Sequence, residues 1–275
     1  MEVIQVIHTG TGPKGMALDQ QNGIVYVAAA GDDIIEIISI ATLEIIGRIR
    51  LQFGDEPSEL ALSPDGRTLL SANYGSGTVS IINTRSMSEN ERLVLDPDPA
   101  WIVMGRDGRT AYVLHTMSNT ISVVDVVGRR LLTSIALDDS PVRGALSRDG
   151  NSMFIISEYS TALQVLNTGS FAILKRIFIG SNGAAITVDV KNNSVYVGKK
   201  TGEVVVVDPT AEMFIDSFAV EHGVNYITID GEENALLLLT ASGAMIHKLN
   251  LVSKRKLADL DTEEGGHALV VMGEL

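Results

Sequence analysis

The chain has no cysteine, a single tryptophan, seven prolines and only 5% aromatic residues in 275. Without cysteine there is no disulfide, no thiol nucleophile and no Cys-ligated zinc or cluster, and oxidising and reducing compartments are not told apart. No apolar run approaches the roughly 20 residues that a membrane-spanning helix needs, so membrane insertion is not expected. Positive charge is also scarce: 21 Lys and Arg stand against 34 Asp and Glu, for a net charge of −13. Nucleic acid binding needs a basic surface that displaces counterions, so nucleic acid and anionic membrane surfaces are excluded as partners. A secretory leader is not legible either, because a strand-like run begins within three residues of Met1. This reads as cytoplasmic, or as cell surface or periplasm if a leader has been removed.

What the chain does have is a repeat. Ser63-Pro64-Asp65-Gly66, Gly105-Arg106-Asp107-Gly108 and Ser147-Arg148-Asp149-Gly150 place Asp65, Asp107 and Asp149 at intervals of 42. The same slot continues in degenerate form at Gln21, Lys191 and Glu232. Between Pro57 and Leu95 lie four strand-like runs: Glu59 to Ser63, Thr68 to Asn73, Thr78 to Asn83 and Glu91 to Leu95. A period of about 40–45 residues with four strands per unit predicts an all-β fold, a β-propeller of four-stranded antiparallel blades. No window sustains a helical period. At this length one closed domain is expected, running over residues 1–275.

Thr78 to Asn83, Thr120 to Asp125, Pro57 to Gly66 and Pro141 to Gly150 resemble the repeat unit of the YVTN family of β-propellers. The resemblance covers nearly the whole chain. It implies a propeller related to surface-layer-associated proteins, lactonase-like enzymes or propeller subunits of redox complexes. There is no Trp-Asp dipeptide, so the tryptophan–aspartate repeat family fits less well.

Six units start near residues 13, 57, 99, 141, 183 and 224. The ends look like two strands of a seventh: Val3 to Ile7 as a fourth strand and His267 to Met272 as a first. Residues 264–275 with 1–12 are therefore expected to form an incomplete seventh blade that closes the ring or that a partner completes. A six-bladed ring is the alternative.

Two surfaces are candidates for function. In a propeller, the loops from fourth to first strand and from second to third strand share one face. These loops carry Asp55, Asp96, Asp98, Asp138, Asp139 and Glu158, with Asp32, Asp33 and Glu56 beside them. An acidic docking face for a cation or a basic protein is one reading, and solvated loops are the other. The first strands are expected to line the channel. Along them Glu59, Trp101, Arg143 and Tyr226 occupy equivalent places, so a ligand site at the channel mouth competes with a simple plug. His115 ends a second strand near that face, and His222 and His267 lie on later loops; they are candidate general bases or metal ligands, with ordinary surface histidines as the alternative.

Gly10 to Gly15 matches G-x-G-x-x-G, but a strand–turn–strand pattern follows where the dinucleotide fingerprint needs a helix. There is no Walker loop, H-E-x-x-H or G-x-S-x-G. No cofactor is expected beyond calcium held weakly by loop carboxylates. The favoured function is a non-enzymatic binding or scaffold propeller. The alternatives are a lactonase- or lyase-like enzyme using His115 or His222 with a carboxylate, and a propeller subunit of a redox complex whose partner carries the cofactors.

Overall fold

The computed structural model describes residues 1–137, 139–262 and 265–272. Its regular structure is six four-stranded antiparallel sheets, each made of consecutive strands. Sheet 1 contains β1 (Pro13–Asp19), β2 (Ile24–Ala29), β3 (Ile34–Ser39) and β4 (Glu44–Arg50). Sheet 2 contains β5 (Pro57–Leu62), β6 (Thr68–Asn73), β7 (Thr78–Asn83) and β8 (Ser88–Val94). Sheet 3 contains β9 (Pro99–Met104), β10 (Thr110–His115), β11 (Thr120–Asp125) and β12 (Arg130–Ala136). Sheet 4 contains β13 (Pro141–Leu146), β14 (Ser152–Ser157), β15 (Ala162–Asn167) and β16 (Ile173–Phe178). Sheet 5 contains β17 (Gly183–Val188), β18 (Val195–Lys199), β19 (Glu203–Asp208) and β20 (Met213–Ala219). Sheet 6 contains β21 (Tyr226–Asp230), β22 (Ala235–Thr240), β23 (Met245–Asn250) and β24 (Lys256–Asp261). By packing, the chain divides into two compact units, one of Gln5–Val142 and one that begins at Arg143 and includes Met1–Ile4.

The middle strands of each sheet are buried on both faces, which is why they read as largely continuous apolar runs. Successive side chains serve opposite neighbours. In sheet 2, Leu69 and Ile82 join Ala17, Tyr26 and Ile35 of sheet 1, whereas Leu70 and Ile81 join Ile102, Val113 and Val124 of sheet 3. In the second unit Tyr196, Val204 and Val206 of sheet 5 meet Leu236 and Leu238 of sheet 6. Each such side chain contributes about 1.5–3 kcal/mol of burial. The fourth strands are mostly exposed, and in Glu44–Arg50 exposed positions alternate with half-buried or buried ones.

Two local devices recur. The pairing of third with fourth strand shifts register at the same place in all six sheets, for example between Ile81 and Ile82 and between Val206 and Val207. One extra residue there bends the outer strand and increases its twist. The turn between first and second strands is held by a carboxylate. Asp65, Asp107 and Asp149 accept backbone N–H bonds from Arg67, Arg109 and Asn151. Where that aspartate is missing, the carboxylate sits at the strand end instead: Asp19, Asp189 and Asp230 accept from the N–H groups of Asn22, Lys191 and Glu232. The repeat looks degenerate in these sheets because the anchor has moved by two residues, not because the turn has lost it.

The expected seventh blade is not formed. Among the described residues neither Val3 to Ile7 nor His267 to Met272 is a strand, and Val3, Ile4 and Val6 are mostly exposed. The two middle strands of such a blade are absent from the sequence, and a two-stranded ribbon without them has no buried face to stabilise it. Six blades, the alternative, is what the chain builds.

Candidate functional site

First strands crowd against one another: β1 packs on β5 and β5 on β9. A methyl group on Gly15 would lie 2.5 Å from the Glu59 Cα, so glycine is required there by space. Ser58 ties neighbouring sheets by donating to the carbonyls of Ala72 (3.1 Å) and Pro99 (2.9 Å). Glu59 on β5 is buried at 7% exposure and its Oε1 accepts from the Leu60 N–H. Trp101, at the equivalent place on the adjacent β9, is half-buried. These two lie in one compact unit, while Arg143 on β13 and Tyr226 on β21 lie in the other. The equivalent position between them holds the small Ala185.

His115 is not an accessible base. It is 0% exposed. Its Nδ1 lies 3.1 Å from the Pro97 carbonyl and its Nε2 3.0 Å from Ser122 Oγ. Burial pushes the ring below the ordinary imidazole value, partly offset by the Pro97 carbonyl and by Asp96 and Asp98. His222 and His267 are exposed. Among the described residues no three His, Asp or Glu side chains cluster closely enough to hold a metal ion, and no helix is long and apolar enough to cross a membrane.

The acidic loop residues divide into two kinds. Asp55 is 1% exposed and takes both guanidinium Nη groups of Arg92, at 2.6 and 2.8 Å. Burial alone would push its carboxyl up, but hydrogen bonds from Arg92, Ser76 and the Gln52 N–H hold it below the usual carboxylate range. Asp96 accepts from the hydroxyls of Thr120 (2.6 Å) and Ser134 (2.8 Å), and Thr120 chiefly lowers its pKa. Asp33 accepts from the N–H groups of Gly54 and Glu56, Asp139 accepts from that of Ser140, and Glu158 meets Lys200 at 3.2 Å. Asp138 lies outside the described residues. Glu56 and Asp98 differ. Both share the left-handed backbone of Asp33 (φ 48° and 57°, against 53°), but their carboxylates take no part in these hydrogen bonds.

Sequence reasoning missed a polar column running through the third strands. Glu36, Ser80, Ser122, Gln164 and His247 stand at equivalent positions, with Val205 filling the place in sheet 5. On the fourth strands they pair in register with Arg48, Arg92, Ser134, Arg176 and Asp259, and Val205 with Ser217. Each sheet satisfies the position differently. Glu36 meets Arg48 Nε at 2.9 Å and accepts from the Gly10 N–H at 3.0 Å. Ser80 accepts from Asn73 Nδ2 at 2.8 Å. His247 Nδ1 lies 2.7 Å from Asp259 Oδ1. The signal was a polar residue at the repeat spacing inside five of the six third strands, obscured because its chemistry changes from blade to blade.

Comparison with protein-family models and with curated proteins gave no match. Among solved structures the chain is similar to one of Kuenenia stuttgartiensis hydrazine synthase, with a TM-score of 0.82 and 18% identity over 94% of this chain and 90% of that one. The fold is a β-propeller. At that identity the likeness is one of fold alone, and the sheets described above are its blades.

Proposed function

We propose that this propeller is a binding or scaffold domain that presents acidic loops to a cationic or protein partner. Its repeats resemble those of the YVTN family, which fits such a role. The observation that carries the reading is the division among the loop acids. Asp55, Asp96 and Asp33 are consumed inside the blades, whereas Glu56 and Asp98, 42 residues apart on equivalent loops, keep their carboxylates outside those networks. The enzymatic alternative loses ground because His115 has both ring nitrogens engaged inside blade 3. A redox-complex subunit is the second reading, favoured by the likeness in fold to the hydrazine synthase chain; the cofactors would then belong to a partner.

The test is an equilibrium titration with spermine and with calcium, read through the fluorescence of Trp101, the only tryptophan. Replacing Glu56→Lys and Asp98→Lys together should weaken spermine binding about tenfold, as expected for two lost charge contacts. Glu44→Lys, an exposed carboxylate at the start of a fourth strand, should leave it unchanged. Equal effects from both variants would remove the acidic-loop reading.

A further inference from the structure

Blade 6 pairs its second and third strands differently from blades 2, 3 and 4, although Gln164 Oε1 of blade 4 is likewise buried without a partner among the described residues. In blades 2, 3 and 4 the residue ending the second strand meets the polar residue of the third. Asn73 donates to Ser80, His115 Nε2 lies 3.0 Å from Ser122 Oγ, and Gln164 Nε2 reaches Ser157 Oγ at 3.4 Å. In blade 6 those two positions hold Thr240 and His247. The Thr240 hydroxyl turns instead to the Met245 carbonyl at 3.2 Å. His247 is 1% exposed, and its Nε2 is buried with no hydrogen-bond partner. Its Nδ1 donates to Asp259 Oδ1, and Lys256 Nζ holds the other carboxylate oxygen at 2.9 Å. The Nδ1–H is taken by Asp259, which leaves Nε2 as the ring nitrogen without a partner among the described residues. Buried polar atoms are almost always satisfied, and this one, unpartnered among the described residues, belongs to a residue that lines a cleft.

His247 is one of the residues around a cleft of about 400 Å³, a size typical of small-molecule sites. Phe218, Val220 and Leu249 give it an apolar wall, and Lys254 and Glu221 stand at its polar side. Lys254 Nζ lies 4.5 Å from the Tyr196 ring centre, 5.7 Å from that of Phe218, and 3.0 Å from the Tyr196 hydroxyl. Burial holds this ammonium below the ordinary lysine value, with Asp216 and Asp189 partly restoring it. Burial likewise pushes the Tyr196 phenol up to about 12, with Asp189 and Asp216 adding to it, so it stays protonated. Lys256 is taken by Asp259, so Lys254 is the cation best placed for an anion.

We propose that this cleft binds a small monocarboxylic acid whose apolar body packs on Phe218 and Val220, whose carboxylate meets Lys254, and whose hydroxyl or N–H donates to His247 Nε2. The occupant's single charge matches Lys254, whose ammonium donates to the Leu251 carbonyl and the Tyr196 hydroxyl and has a third N–H to give. Its donor group follows from the bare imidazole nitrogen.

Imidazole NMR of the full chain tests this. Replacing the exposed His8, His222 and His267 by Gln leaves the ring signals of His115 and His247, which His115→Asn tells apart. Three probes are titrated: mandelate, phenylacetate (no hydroxyl) and benzyl alcohol (no carboxylate). Mandelate should shift the His247 signals saturably, and each deleted group should weaken binding about tenfold, the worth of one good hydrogen bond. Lys254→Met should weaken mandelate about tenfold and leave benzyl alcohol unchanged. Silence of the His247 signals with all three probes to about 10 mM, the fragment range, would overturn the proposal. So would equal binding of mandelate and benzyl alcohol, or equal losses for both in Lys254→Met.

Discussion

Replacing Asp55 by Ala tests how much of the acidic loop chemistry is internal to the fold. The side chain is 1% exposed, and both oxygens are bound by Arg92, at 2.6 and 2.8 Å. Oδ2 also accepts from the Gln52 N–H at 2.7 Å, which fixes the loop before β5. Breaking a buried ion pair from one side typically costs about 3–5 kcal/mol. The low end applies here, because the stranded guanidinium keeps Glu89 at 3.0 Å and Thr78 at 3.1 Å and is itself 16% exposed. Asp55→Ala should therefore lose about 3 kcal/mol, a fall in Tm of roughly 6–12 °C at this chain length. A cycle with Arg92→Met should show a coupling of about 2 kcal/mol. The sign with pH follows from the lowered folded pKa. The pair's contribution is fully present above the unfolded carboxylate value near 4 and is lost as pH falls through the lower folded value. Asp55→Ala should then be less acid-sensitive than the parent in that window, by urea unfolding at several pH values. A variant within about 0.5 kcal/mol of the parent, the range of ordinary surface changes, would refute the reasoning, as would a cycle without coupling.

His115 folds in its neutral form, with its pKa depressed mainly by burial. Its contribution is complete above the unfolded value near 6.5 and declines as pH falls toward the folded value; His115→Asn, the residue used at the same slot in blade 2, should flatten that slope in denaturation curves. Gly15→Ala sets a methyl 2.5 Å from the Glu59 Cα, and its overpacking should cost about 1–3 kcal/mol, read as a shift in urea midpoint at constant m. Deleting residues 1–7, which contribute no strand and expose Val3, Ile4 and Val6, should change stability by less than about 1 kcal/mol; a large loss by calorimetry would revive the terminal-closure idea.

The fold was legible because its signals are local and repeated: Pro64-Asp65-Gly66 announces a turn by its own chemistry, and Thr78 to Asn83 announces a buried strand by its β-branched run. The seventh blade was misread because Val3 to Ile7 has the strand pattern, and pattern alone does not supply a neighbour to pair with. The roles of Asp55 and His115 were illegible for a different reason. Both depend on what lies across a sheet, Arg92 at 37 residues' separation and the Pro97 carbonyl at 18, and neither distance follows a motif. His247 escaped notice because it sits inside an apolar strand, Met245–Asn250, where its meaning comes from Asp259 on the next strand and from the absence of a partner at Thr240.

The most direct test of the binding account is the association rate of spermine with the full chain, followed by stopped-flow Trp101 fluorescence as salt is raised. An acidic loop surface predicts a rate that falls steeply as the Debye length shortens from about 10 Å at 0.1 M to about 3 Å at 1 M, and a slower, flatter dependence in the Glu56→Lys, Asp98→Lys variant. A rate indifferent to salt, or one that the double variant leaves as it was, would contradict it.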